Sequence, residues 1–140
     1  MQLGKILTAS IVTGIVANVF DYLVHGVLLA GPVYSHFSIF RSDTPISLFI
    51  ATDFVAAFVL VWVYDRVRAS FAPGVKGGAL FGFYAGVLMS FPTWIGSYLI
   101  IAGFTYGLAW IWTLTGVLWA VLGGAVAGWV YSRAGARAPA

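Results

Sequence analysis

The sequence predicts an all-α protein, a bundle of four transmembrane helices that run up-down-up-down with both termini in the cytoplasm. Three observations predict this fold. Hydrophobic residues make up 61% of the chain and charged residues 8%, whereas a soluble domain carries about 25% charged residues. The apolar residues form four long runs, separated by segments rich in glycine, proline or charge. Glycines recur at four-residue spacing in the last two runs, which is typical of closely packed transmembrane helices.

The four runs are each long enough to cross a bilayer, which takes about 20 apolar residues in a helix. Gly31-Pro32 ends the first run, and Pro45 opens the second with Thr44 as its expected N-cap. We expect one domain followed by a basic, Ala/Pro-rich tail over residues 132–140. A cleaved signal peptide ending at Ala17 is the alternative for the first run. The predicted helices cover residues 3–30, 45–64, 77–102 and 108–131.

Charge sets the expected orientation and excludes some chemistry. The chain contains no cysteine, so disulfides, thiolate metal sites and thiol catalysis are excluded. With four spans, Arg41 is the only basic residue on one side of the membrane, and basic residues concentrate in cytoplasmic segments. We therefore expect an inner-membrane protein with both termini inside. The basic residues on the cytoplasmic side are Lys5, Arg66, Arg68, Lys76, Arg133 and Arg137.

Stripes of small residues on the third and fourth helices predict close helix packing, as in a glycine zipper. Pro92, just beyond the first stripe, is expected to kink the third helix. A stripe that faced outward would instead join two copies of the chain or dock onto a larger membrane complex. The expected packing residues are Gly78, Gly82, Gly86, Gly116, Gly124 and Gly128.

Ionisable residues interrupt the apolar runs at one depth. Asp21 and His25 lie one turn apart in the first helix, and Asp53 lies in the second. A charge at bilayer depth costs about 2.5–3.5 kcal/mol and therefore needs a partner. At 1.5 Å per residue, both aspartates lie about 12–13 Å from the outer helix ends. The residues predicted to form this polar layer, and a cavity open to the outer face, are Asn18, Asp21, His25, Asp53, Thr93, Ser97 and Thr113.

The polar layer allows several functions. It favours binding of a proton, a cation or a small polar ligand, as in a small transporter or sensor. Alternatively the Asp21–His25 pair only fixes helix packing, in a structural or accessory subunit. A metal site at Asp21, His25 and Asp53 lacks the usual histidines. An acid–base enzyme would need Ser97 or Thr93 as nucleophile, with no nucleophile motif around them. We expect no catalytic residue, cofactor, metal or nucleic-acid partner.

Three motifs together resemble a type of small bacterial membrane protein, the uncharacterised four-helix proteins described as domains of unknown function. They are Asn18-x-x-Asp21-Tyr22-x-x-His25-Gly26, the glycine ladder that ends at Pro92, and the segment from Trp112-x-x-x-Gly116 through Gly128-Trp129. The resemblance covers most of the chain. It implies a four-helix topology and a bacterial inner membrane, and it implies no activity.

Overall fold

Every regular element is helical in the residues that the computed structural model describes, 3–41 and 43–135. The long helices are α1 (Leu3–Asp21), α2 (Ile46–Val67), α3 (Val75–Ile100) and α4 (Tyr106–Gly135). A π-helix, Tyr22–Leu28, continues α1, and single 3₁₀ turns cover Tyr34–His36 and Arg68–Ser70. Four segments are long and apolar enough to cross a membrane. The all-α class and the four apolar spans are therefore confirmed. The spans cover Leu3–Leu28, Ile46–Ser70, Val75–Ile100 and Tyr106–Arg133.

The helix ends differ from the predicted ones by one to four residues at every boundary except Leu3. The first helix changes to π geometry after Asp21 and reaches only Leu28. Pro45 takes the N-cap position of α2 in extended conformation without a side-chain cap, so the predicted Thr44 cap is wrong. A proline supplies no side-chain acceptor, and its fixed φ suits the entry to a helix. The last helix continues to Gly135, into the predicted tail. Residues 136–140 lie outside the described part.

Helix α4 is the centre of the bundle, because it packs against each of the other three long helices. Its most extensive contact is with α3. Gly78 on α3 faces Gly124 and Gly128 on α4, whereas Gly86 faces Val117. Residue numbers therefore rise along one helix as they fall along the other, and the two helices are antiparallel. Helix α3 is continuous through Pro92.

Small residues make the α3–α4 contact close. A Cβ atom added at Gly86 would lie 2.8 Å from the Val117 Cα atom, well inside van der Waals contact. Gly82 meets the Ala120 backbone in the same way, and Gly116 meets the Ser90 side chain. Helices without a hydrophobic driving force between them gain from such backbone approach.

Two clusters of buried residues define the two ends of the bundle. The terminal end holds Ile6 near the start of α1, Tyr64 on α2 and Tyr131 near the end of α4. The loop end holds Phe104 and Leu108. Rings of the α1–α2 loop pack there against α3 and α4. The partly buried residues of this loop-end cluster are Val33, Tyr34, Phe37, Phe40, Trp94, Ile95 and Trp112.

Candidate functional site

Two carboxyl groups meet between α1 and α2. Asp21 is the last residue of α1, and its carboxyl group lies within hydrogen-bonding reach of that of Asp53 on α2. The Asp21 side chain is 32% exposed, so the pair lies at the side of the bundle rather than at its centre. An ionised carboxylate is only an acceptor. A hydrogen bond between the two groups therefore requires one of them to hold a proton.

The π-helix brings His25 onto the same cluster. Its Nε2 atom lies 3.9 Å from Asp21 Oδ1, and its Nδ1 atom is hydrogen-bonded to the Tyr34 hydroxyl. The wide turn continues beyond the segment, where Leu29 donates its N–H to the Val24 carbonyl at 2.9 Å. Such π-turns inside α-helices occur frequently at functional sites.

Tyr34 joins His25 to α4. Its hydroxyl accepts a hydrogen bond from Trp112 Nε1 at 2.9 Å, so its own proton is free to be donated to His25 Nδ1. A neutral imidazole that accepts at Nδ1 carries its proton on Nε2. The Nε2 atom lies 3.9 Å from Asp21 Oδ1, which is longer than a hydrogen bond. The result is one polar chain from Trp112 through Tyr34, His25 and Asp21 to Asp53, which we call the polar relay.

Aromatic rings enclose the middle of the relay. The Tyr34 ring stacks on the His25 ring with 5.8 Å between centroids and 4° between planes. Phe40 contacts the Tyr34 ring edge-on, with 5.0 Å between the ring centroids. Burial raises the pKa of Tyr34, the hydrogen bond from Trp112 opposes this, and the charge of Asp21 adds to it. The hydroxyl is thereby kept as a donor to His25.

The structure brings together only part of the predicted polar layer. Asp21, His25 and Asp53 form one cluster. Thr93 and Ser97 instead donate to carbonyl oxygens of α3, those of Met89 and Thr93, at 2.6 and 2.8 Å. Within the described chain neither hydroxyl bonds to the cluster.

The two remaining members lie on α1 and α4. Asn18 donates to the Gly14 carbonyl at 2.9 Å, one turn before Asp21. Thr113 is buried, and its hydroxyl has no hydrogen-bond partner among the described residues. Neither is therefore part of the polar relay.

Tyr34 and Trp112 are relay members that the sequence did not indicate. Both belong to runs rich in aromatic residues. In such runs a tyrosine like Tyr34 is interpreted as a ring at the membrane interface, and a tryptophan like Trp112 as an interface anchor or a core residue. The usable signal was the indole N–H and the phenol hydroxyl, because a buried Tyr or Trp needs a hydrogen-bond partner. Pairing them requires the loop to fold back onto α4.

Two cavities among the described residues lie away from the relay, toward the terminal end. The predicted polar cavity is neither of them. Among the described residues, no group of three or more His, Asp, Glu or Cys side chains is arranged to hold a metal ion. The two carboxyl groups are suited to sharing a proton, and hydrogen bonds join His25 to Tyr34 and Tyr34 to Trp112.

Comparison with known proteins gives no match to a family model, to a curated protein or to a solved structure.

Proposed function

We propose that this is a multi-pass membrane protein that binds a proton between Asp21 and Asp53, as a small transporter or sensor. The observation that supports this most is the contact of the two carboxyl groups. Its hydrogen bond depends on one proton. A proton is therefore the simplest ligand for this contact.

Loss of that proton changes the force between two helices. Two ionised carboxylates side by side repel each other, whereas a carboxylic acid bonded to a carboxylate holds the pair together. Because Asp21 lies on α1 and Asp53 on α2, deprotonation favours separation of these helices at this level. His25 and Tyr34 then convey the change to the loop and to Trp112 on α4. The relay thus couples a proton to helix position.

The orientation belongs to the same proposal. The four helices run up-down-up-down with both termini in the cytoplasm, since lysine and arginine concentrate at the terminal end. Asp53 lies seven residues into α2, which places the pair about 10 Å from the outer helix ends. Protons from the outer face then have a short path. The resemblance noted from the sequence supports a bacterial inner membrane as the location.

The alternative is an accessory subunit whose polar layer only fixes helix packing. Its docking surface was to be the glycine and aromatic faces. The glycine stripes pack inside the chain, where Gly78 and Gly82 face α4 and Gly124 faces α3. The aromatic faces remain as the docking surface of this alternative. A transporter of four helices would function as a homodimer, because inverted-repeat transporters usually contain more helices.

Proton uptake by the purified protein tests the proposal. The pH of a lightly buffered detergent solution is stepped through the neutral range, and protons bound per chain are counted with an indicator dye. Asp53→Asn should bind fewer protons than the parent, because an amide donates to Asp21 without taking up a proton. Asp43→Asn is the control, since Asp43 is an exposed partner of Arg41 in the loop. Equal uptake by the parent and Asp53→Asn over the whole range would overturn the proposal.

A further inference from the structure

A polar cavity lies at the terminal end, far along the bundle from the polar relay. It has a volume of about 260 Å³ and is bounded by the end of α2, the α2–α3 connection and the end of α4. Arg68, Gly74, Tyr131 and Ser132 are among its lining residues. The proposed proton site uses none of them.

A buried hydroxyl group is available in this cavity. The Tyr131 side chain is 9% exposed, and its hydroxyl has no hydrogen bond of good geometry among the described residues. The Asp65 carboxyl group interacts with this hydroxyl and is the acceptor that a bound molecule would have to replace. A buried polar group is normally paired with protein or a bound molecule. An acceptor in the cavity would complete the bonding of Tyr131.

The start of α3 faces the same cavity. Gly74 is the N-cap of this 26-residue helix and has no side-chain cap. Its φ of 84° lies in the region that favours glycine. The first N–H groups of a helix lack intrahelical partners and carry partial positive charge, so an uncapped helix start favours an anion. Helix start and buried hydroxyl thus offer donors from two sides.

The surrounding charge is also suited to an anion. Arg68 lies over the Tyr131 ring, with its guanidinium carbon 5.2 Å from the ring centroid. Its Nε atom is 3.6 Å from Asp65, which balances part of its charge. Asp65 is the only acid at this end within the described residues, whereas the described basic residues there are Lys5, Arg66, Arg68, Lys76 and Arg133.

An apolar groove begins beside the polar cavity. Gly74 lines the cavity and the next residue, Val75, lines the groove; on α4 Ser132 lines the cavity and Trp129 the groove. Val12 and Ala125 form part of the groove, which has a volume of about 450 Å³ and almost no polar surface. A cavity suited to a phosphate group, next to an apolar groove suited to an acyl chain, matches the two parts of a phospholipid.

We propose that the terminal end binds an anionic phospholipid. Its phosphate group accepts hydrogen bonds from Tyr131 and the first N–H groups of α3, with Arg68 as the counter-charge, and one acyl chain lies in the groove. Basic pockets at helix ends on the membrane surface bind anionic head groups by the same chemistry.

Retention of lipid by the full-length protein in detergent tests this, measured by native mass spectrometry. Phosphatidylglycerol and phosphatidylcholine with identical acyl chains are the probes, and inorganic phosphate is a separate arm. We expect phosphatidylglycerol to be preferred, and Arg68→Gln to weaken its retention about fivefold, the usual effect of one basic residue near a membrane. Arg41→Gln removes the same charge at the loop end and should leave retention unchanged.

Tyr131→Phe keeps the ring and removes the hydroxyl, so it decides the matter if Arg68→Gln does not fold. It should also weaken retention of phosphatidylglycerol. Equal retention of the two lipids, or equal loss in the Arg68 and Arg41 variants, would overturn the site. Displacement of lipid by inorganic phosphate at equal concentration would overturn the lipid as occupant. Each result is independent of proton uptake at Asp21 and Asp53.

Discussion

The carboxyl group of Asp21, at the end of α1, lies within hydrogen-bonding reach of the carboxyl group of Asp53 on α2. The π-helix that begins at the next residue carries His25, whose Nε2 atom is 3.9 Å from Asp21. A change of helix geometry thus coincides with the meeting of three ionisable groups. This coincidence is the basis of the predictions about the polar relay.

Removal of the Tyr34 hydroxyl should destabilise the protein. Tyr34→Phe breaks the bond to His25 and leaves the Trp112 N–H unpaired in a half-buried site, which costs about 1–3 kcal/mol. Thermal unfolding in detergent measures this loss. Tyr22→Phe is the matched control, because Tyr22 is exposed, and its effect should stay within about 0.5 kcal/mol. Equal stability of the two variants would remove Tyr34 from the relay.

Substitutions at Trp112 and at Asp21 should shift the pKa of Tyr34 in opposite directions. Burial raises the pKa of Tyr34 above the usual tyrosine range. Trp112→Phe should raise this pKa further, and Asp21→Asn should lower it, because the first removes a donor and the second a negative charge. Difference absorbance against Tyr34→Phe follows the tyrosinate.

The same shift predicts a pH dependence of stability. The pKa of Tyr34 is raised in the folded state. The contribution of this shift to the free energy of unfolding is therefore fully present below about pH 10, the pKa of a tyrosine in the unfolded chain. It is lost as pH rises through the pKa of the folded state. A Tyr34 pKa in the ordinary range would contradict the buried, hydrogen-bonded position of this side chain.

Glycine positions on α3 should differ sharply in their tolerance of a methyl group. A Cβ atom at Gly82 would lie 2.7 Å from the Ala120 carbonyl carbon, whereas one at Gly96 meets nothing within 4 Å. Gly82→Ala should therefore cost about 1–3 kcal/mol through overpacking. Gly96→Ala should be neutral or stabilising by up to about 1 kcal/mol, since alanine favours the helix. If thermal unfolding did not separate the variants, the α3–α4 contact would be looser than described.

Cysteine labelling can check the proposed orientation, because the native chain contains no cysteine. Ser38→Cys lies in the α1–α2 loop and Ser70→Cys near the α2–α3 connection, and both parent residues are exposed. In intact cells a membrane-impermeant thiol reagent should label Ser38→Cys and spare Ser70→Cys. Both should react after lysis. The reverse pattern would place the polar relay in the inner half of the membrane.

The four helices were predictable because their signals are local. Long apolar runs and the breakers between them require no knowledge of tertiary contacts. The change to a π-helix at Tyr22 was not predictable, since hydrophobic composition on both sides of it is the same. The start of α2 at Ile46 was missed by one residue, because Thr44 and Pro45 both suit a helix entry.

The sequence predicted the depth of the site residues along their helices, but not the direction in which each side chain points. Counting residues along helices placed Asp21, Asp53 and Thr93 at one level, and two of these meet. Thr93 is exposed and bonds to its own helix, because the face that a helix turns to its neighbours depends on packing. Tyr34 joined the relay only through the folding back of its loop onto Trp112. Long-range contacts of this kind leave no periodic signal in the sequence.

Infrared spectroscopy of the carboxyl groups tests the central claim most directly, because the C=O stretch of a protonated carboxyl group differs from that of a carboxylate. The parent protein in lipid should show a protonated-carboxyl band that persists at pH values where exposed aspartates are ionised. Asp21→Asn and Asp53→Asn should each remove this band, since an amide replaces the proton as donor, and Asp43→Asn should retain it. A band that survives in both Asp21→Asn and Asp53→Asn, or is absent from the parent, would contradict a proton shared between Asp21 and Asp53.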